Sequence, residues 1–266
     1  MAEEKKRRRT PQRGDKNRRD KREKPKLNAE EWKPKTSLGK QVKNKEITDI
    51  EVILDSGFNI SETEIVDILI PDLDTELLLI GQSKGKFGGG QRRVFKQTQK
   101  KTREGNKPKF ATYALVGNKN GLVGTGYGKS KETVPAREKS TRNAKLNLIK
   151  IRRGCGSWEC GCREPHTIPF AVTGKCGSVI VHLFPAPKGT GLVAEKVIQK
   201  IVGMAGVKDV WSKSFGKTTS KINLIKACMA ALKSLMTTKI RPEAIEKIGI
   251  IEGKIKVEEK IKDEEK

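Results

Sequence analysis

Cys155, Cys160, Cys162 and His166 follow the spacing C-x4-C-x-C-x3-H. Thiolates and an imidazole are the donors that suit a tetrahedral zinc ion, and these four make a Cys3His set. Gly154, Gly156 and Gly161 supply the tight turns that a chelate ring needs. The spacing departs from the common C-x2-C knuckle. With four protein ligands no coordination position stays open for water, so such an ion would be structural. Cys176 is a spare candidate ligand. The alternative is three free thiols in a linker, with His166 bonded to a phosphate or a carbonyl. Five cysteines is an odd number. Lys5 to Arg9 precede no apolar stretch, so the N-terminus does not read as a secretory signal. A reducing compartment is therefore expected, and metal rather than disulfides.

Other patterns point towards catalysis and then fail. Gly128-Lys129-Ser130 and Gly216-Lys217-Thr218 each resemble the end of a phosphate-binding loop. That loop needs a glycine five residues earlier, where this chain has Val123 and Trp211. Gly124, Gly126 and Gly128 also miss the dinucleotide spacing. His166 and His182 are the chain's two histidines, and neither has a nucleophile and an acid at readable spacing. His182 alternates with apolar neighbours and reads as a half-buried strand residue. No enzyme and no small-molecule substrate are expected.

Charge indicates the partner instead. The 266 residues carry a formal net charge of +25. A chain this basic repels itself unless a polyanion lies nearby. No apolar run approaches the roughly 20 residues of a membrane span, so nucleic acid is the expected polyanion and a membrane is not. Aromatic residues make up 5% of the chain. That scarcity favours recognition of backbone and shape over base-reading on stacking platforms. A free, zinc-containing RNA-binding regulator also fits charge and cysteines alone.

The elements that would position these residues follow from pattern. Residues 1–45 read as a basic disordered tail, with too few apolar side chains to offset the entropy of ordering. Residues 46–80 are acidic and apolar, with short helical character. Ser61 and Glu64 fit a capping box, and Pro71 ends the helix. Such a segment would pack on its own domain or on a basic neighbour. Residues 81–151 form a basic unit in the order strand, strand, strand, helix. Val94 to Thr102 is one strand, broken by Gly105, Asn106 and Pro108. Phe110 to Val116 and Leu122 to Tyr127 flank the turn Gly117-Asn118-Lys119-Asn120-Gly121. The helix runs from Thr133 to Lys150, with Val134, Thr141, Ala144 and Leu148 on one face and Pro135 in the first turn.

Residues 152–166 are the cysteine-rich linker. Residues 167–240 form an α/β unit with strands at Thr167 to Val172, Ser178 to Phe184 and Val207 to Phe215. Val193, Val197 and Ile201 make a helical stripe ending at Gly203. Ile222, Ile225, Met229, Leu232 and Met236 make a second, and Leu224, Cys228, Ala231 and Leu235 cover another face of that helix. Residues 241–266 read as a charged tail. The fold class is α+β.

Three separated motifs carry a resemblance. They are Tyr113 to Glu132 (YALVGNKNGLVGTGYGKSKE), Phe184 to Ala194 (FPAPKGTGLVA), and Ala205 to Trp211 (AGVKDVW) followed by Ser214-Phe215-Gly216. In order and spacing they resemble the small-subunit ribosomal protein S-five family, over roughly residues 47 to 240. The resemblance implies a double-stranded-RNA-binding-like domain, a three-stranded antiparallel sheet with a helix on one face. It also implies a C-terminal α/β domain with a left-handed crossover. The implied partners are small-subunit ribosomal RNA and the neighbouring ribosomal proteins S-four and S-three. The implied place is on cytoplasmic ribosomes beside the messenger path, with an effect on translational accuracy. The cysteine segment resembles that of archaeal members. The basic loop from Lys100 to Lys109 is longer than in bacterial members.

The residues expected on RNA fall in four groups. Lys84, Lys86, Arg92, Arg93 and Lys96 lead into the first strand, and Lys100, Lys101, Arg103, Lys107 and Lys109 follow. Gly124, Gly126 and Gly128 would let a phosphate backbone approach. Lys129, Lys131 and Arg137 lie around the start of a helix, where backbone amides also favour phosphate. Arg152 and Arg153 precede the cysteines.

Overall fold

The computed structural model describes residues 32–83 and 90–254. Three short helices come first: α1 (Ser37–Lys43), α2 (Ile50–Asp55) and α3 (Thr63–Leu69). Strands β1 (Asp74–Leu77), β2 (Lys96–Thr102), β3 (Gly105–Gly117) and β4 (Leu122–Ser130) follow, then α4 (Thr133–Leu146), β5 (Leu148–Lys150) and β6 (Arg152–Arg153). The second half holds β7 (Val172–Cys176), β8 (Val179–Pro185), β9 (Leu192–Val193), α5 (Lys196–Met204), β10 (Val210–Phe215) and α6 (Lys221–Thr237). It closes with α7 (Pro242–Ile248) and β11 (Ile251–Glu252). The α+β class is as expected.

The first sheet has five strands rather than three, in the order β1-β3-β4-β5 with β2 also on β3. β1 pairs with the C-terminal end of β3, and β2 with its N-terminal end. The expected break at Gly105, Asn106 and Pro108 is instead the start of β3. Among the described residues β2 is the only strand paired with β3 over Gly105 to Lys109, which frees the opposite edge at Pro108 from needing an N–H donor. The expected helix to Lys150 stops at Leu146, and Leu148–Lys150 turns back as a strand against β4.

Size decides how α4 lies on this sheet. Its buried residues are Ala136, Ser140 and Ala144, one small residue per turn. Val134, expected on the buried face, is 62% exposed. Opposite the small stripe run Gly124, Gly126 and Gly128. A Cβ at Gly126 would lie 2.1 Å from the Ala144 nitrogen, and one at Gly128 2.2 Å from the Ala136 oxygen. The helix backbone therefore rests directly on the strand. These glycines serve helix packing, which corrects the expectation that they admit an RNA backbone.

The second sheet has the order β7-β8-β10-β9. β9 and β10 are parallel neighbours joined through α5, and the other pairs are antiparallel. The strand expected from Thr167 begins at Val172, and Val207 to Asp209 precede β10 rather than join it. α6 is buried on two sides as expected, with Leu224, Cys228, Ala231 and Leu235 all fully buried. Burial pushes the Cys228 thiol up to about 12. The two units share one core. A single cluster runs from Leu115, Val123 and Ile151 to Ile201, Leu232 and Leu235. The β3–β4 turn docks on the end of α5, where Lys119 N–H donates to the Met204 carbonyl at 3.0 Å and Gly121 N–H to that of Ala205 at 3.1 Å.

Two expected tails contain ordered elements. Ser37–Lys43 is helical, capped by the Thr36 hydroxyl, which accepts from Gly39 N–H at 3.1 Å. Val42 is buried in a cluster with Ile50, Ile53 and Ile65. The remainder of the basic tail, residues 1–31, lies outside the described residues. The Ser61 capping box does not form, because Glu62 is the N-cap of α3. Glu62 accepts the Lys35 and Thr36 N–H groups at 2.8 and 2.7 Å instead. At the other end, α7 and β11 fold back, and β11 pairs with β6. The acidic 46–80 segment packs on its own chain: Asp67 takes both short bonds from Lys145, at 2.5 and 2.6 Å, and Asp55 pairs with Lys150.

Gly126→Ala should lower stability by about 3 kcal/mol, because the new Cβ meets helix backbone that has no rotamer to yield. Denaturant unfolding of the purified protein measures this. A change within about 0.5 kcal/mol would show that α4 shifts freely.

Candidate nucleic-acid interface and metal centre

The β2–β3 hairpin leaves the sheet as a two-stranded ribbon. Lys96, Lys100, Lys101, Arg103 and Lys107 are exposed on it and Lys109 is half-buried. A seven-residue strand reaches about 23 Å. Among the described residues the ribbon's one acid is Glu104 at the tip, and it pairs with Lys107. Elsewhere acids pair with bases of the two cores' flanking elements: Asp67 with Lys145, Glu252 with Arg152, Glu195 with Lys221 and Glu76 with Lys200. The ribbon therefore keeps its positive charge.

The remaining expected contacts divide. Arg93, Lys129, Lys131 and Arg137 are exposed. Lys129 sits on β4 opposite Ala111, so it lies near the base of the ribbon. Arg92 is half-buried at the same base. Lys84 and Lys86 lie outside the described residues. Arg152 and Arg153 are corrections. Arg152 donates to Glu252 at 2.6 Å and to the carbonyls of Leu235 and Thr238 at 3.0 and 2.6 Å. Arg153 is 3% exposed and donates to Asn120 Oδ1 at 2.8 Å and the Gly253 carbonyl at 2.9 Å. Burial lowers its guanidinium to about 10. Arg152 thus holds the C-terminal strand and the end of α6, and Arg153 holds the β3–β4 turn and the C-terminal strand.

The four expected metal ligands do converge. The ligand atoms of Cys155, Cys160, Cys162 and His166 all lie within 4.8 Å of one another. Cys160 Sγ is 3.4 Å from Cys162 Sγ and 3.8 Å from His166 Nε2. Thiolates bound at about 2.3 Å to a tetrahedral ion stand about 3.8 Å apart, so the group fits one. The backbone N–H groups of Lys188 and Cys162 hold the Cys160 thiol down to about 6, while burial pushes Cys162 up to about 11. Cys176, the spare ligand, lies at the end of β7 against the main core and is not in this group.

One residue of the site escaped pattern reading. Asp209 is 4% exposed, and its Oδ2 lies 2.8 Å from His166 Nδ1. Its other oxygen accepts the Gly189 and Gly191 N–H groups at 3.2 and 2.8 Å. The carboxylate fixes the imidazole with Nε2 turned to the thiols, the arrangement by which a ligating histidine is oriented. The His166 carbonyl in turn accepts from Lys208 and Asp209 N–H at 2.8 and 3.1 Å. Forty-three residues separate the pair, so only the fold brings them together. The C-terminal strap closes the other side, where Cys155 N–H donates to the Ile248 carbonyl at 2.9 Å.

Comparisons with known proteins agree with one another. Residues 91–152 match the family described as ribosomal protein S5, N-terminal domain, and residues 174–246 match ribosomal protein S5, C-terminal domain. Small ribosomal subunit protein uS5 of Nanoarchaeum equitans is 49% identical over 229 residues, covering 86% of this chain and 98% of that one. Its counterpart in Methanocaldococcus jannaschii is 45% identical over 86% of this chain and 99% of its own. That of Methanococcus maripaludis is 46% identical over 88% and 97%. Among the described residues no helix is long and apolar enough to cross a membrane. On two matched domains and relatives matched over nearly their whole length, the chain belongs to the ribosomal protein S5 family, whose members are structural and not enzymes.

Proposed function

We propose that this protein is a constituent of the small ribosomal subunit in the cytoplasm and works by holding ribosomal RNA. The observation that carries this is the β2–β3 ribbon, a projecting arm of lysines and an arginine with a single acid at its tip. The relatives' names supply the particle. RNA duplexes present phosphates, 2′-hydroxyls and shape, which cations on a stiff ribbon engage without reading sequence. Lys129, Lys131 and Arg137 would extend the contact to the start of α4. The order β2, β3, β4, α4 supports a double-stranded-RNA-binding-like unit. The β9–α5–β10 unit is where the family's left-handed crossover would lie. Ribosomal proteins S-four and S-three are the proposed neighbours, beside the messenger path, and translational accuracy is the proposed consequence.

The Cys3His group is proposed to hold one zinc ion as a structural cross-link. Cys155, Cys160, Cys162 and His166 would be the ligands, and Asp209 would orient His166. Bound there, the ion would tie the linker to the loop before β10 and to the α7–β11 strap.

Replacing Lys96, Lys100, Lys101 and Arg103 with glutamine should weaken duplex RNA binding. The slope of log affinity against log salt should become shallower by about 3 to 4, one near-unit step per lost phosphate contact. Titrations across a salt series measure this, and an unchanged slope would mean that the ribbon faces away from RNA. The purified protein should carry about one zinc per chain, and Asp209→Ala should weaken its retention against a chelator by about 10–100-fold. Metal analysis giving well under a third of an equivalent (~0.3 per chain, against the one ion a closed four-ligand site holds) would sink the zinc assignment.

A further inference from the structure

Among the described residues the second sheet is covered on one face only. Val181, Leu183 and Val210 point to the helices and are fully buried, and a Cβ at Gly174 would lie 2.0 Å from the Ala227 carbonyl of α6. The alternate residues form the other face, in rows set by the strand register. Val193, Trp211 and Phe184 make the first row. Lys213, His182 and Thr173 make the second. Phe215, Ile180 and Lys175 make the third. Trp211 and Phe184 are each 37% exposed and Phe215 is 50% exposed.

This face gathers three of the chain's few aromatic residues on one surface. Phe184, His182 and Phe215 form a connected patch, with His182 nearly parallel to Phe184 (14°, centroids 6.2 Å) and edge-on to Phe215 (86°, 5.4 Å), and Trp211 is the register partner of Phe184. Lys175 and Lys213 stand on opposite flanks of His182's strand, and none of the nine positions is a carboxylate. An occupant must therefore offer flat apolar faces and negative charge together. Unpaired nucleotides offer both, because every base has a π-face and every linkage a phosphate. A duplex hides its base faces in its own stack. A protein partner would cover the apolar area but gives no reason for cations without a single acid.

We infer that the open face of the second sheet binds single-stranded RNA, stacking bases on Phe184, Trp211 and Phe215 with Lys175 and Lys213 on the phosphates. The inference rests on RNA being the partner, as proposed above, but on a different element from the ribbon.

The test uses the full chain, a short labelled oligouridine and a separate RNA duplex, with affinity read by fluorescence anisotropy. The double variant Trp211→Leu, Phe215→Leu keeps apolar bulk and removes π-surface. Its affinity for oligouridine should fall about tenfold or more, with duplex affinity unchanged. The ribbon variant should show the opposite pattern, so the two sites fail separately. Tryptophan emission gives a second readout on an intact face. In a Trp32→Phe, Trp158→Phe background, saturating oligouridine should quench Trp211. Unchanged oligouridine affinity in the leucine variant, or no quenching, would overturn the inference. So would a Trp211→Asp, Phe215→Asp chain that binds oligouridine normally yet fails to join small subunits, because that face would then be a protein interface.

Discussion

Positive charge in excess is the constraint to which the rest of this molecule answers. A net charge of +25 on one chain cannot be neutralised from within. Several acids fasten one element of the fold to another. Asp67 and Asp55 fasten the N-terminal helices to α4 and β5, and Glu252 fastens the C-terminal strand to Arg152. These pairs neutralise the lysines and arginines nearest the cores. The β2–β3 ribbon is left with cations and one acid, so its charge faces outward and needs a polyanion. The same economy explains why an acidic segment belongs to a basic protein: it is the internal counter-charge for the helical side of the first sheet.

The three sequence motifs that carry the family resemblance hold joints of the fold beside the proposed contact residues. Gly124, Gly126 and Gly128 give α4 its close seat. The Gly117 to Gly121 turn meets Met204 and Ala205 at the end of α5, and Arg153 ties Asn120 to Gly253. The Lys188 to Gly191 loop wraps the Asp209 carboxylate, which holds His166. The two sheets, the cysteine linker and the C-terminal strap are therefore fixed against one another through a few buried polar contacts. A binding protein benefits from this, since a rigid body presents its cations in one arrangement and loses less entropy on binding.

Much of this was legible in the sequence. β3 and β4 announced themselves through alternation around a glycine-asparagine turn, and α6 through two apolar stripes. The cysteine cluster was legible because all four ligands lie in one short segment. What stayed hidden has physical causes. α1 and α7 are single short stretches of seven residues each, too short for a periodic stripe, and their few apolar members, such as Val42, matter only once a partner surface exists. β5 continued the helical pattern of α4, and only pairing with β4 makes it a strand. Arg152 and Arg153 look like any other basic pair until carbonyls surround them. Asp209 reaches His166 across forty-three residues, a distance that no local pattern spans. The overall scarcity of aromatics argued against stacking, yet strand register brings Phe184, Trp211 and Phe215 to one face.

On the proposed function, this chain's uncompensated charge is answered by ribosomal RNA within a small subunit. Sedimentation of cell lysate on sucrose gradients, probing for the chain at low and at moderate salt, tests it most directly. The chain should travel with small subunits at both, because many simultaneous phosphate contacts on a rigid body release slowly. A chain that stays at the top of the gradient at low salt is not held by the small subunit, and its charge must then answer some other polyanion.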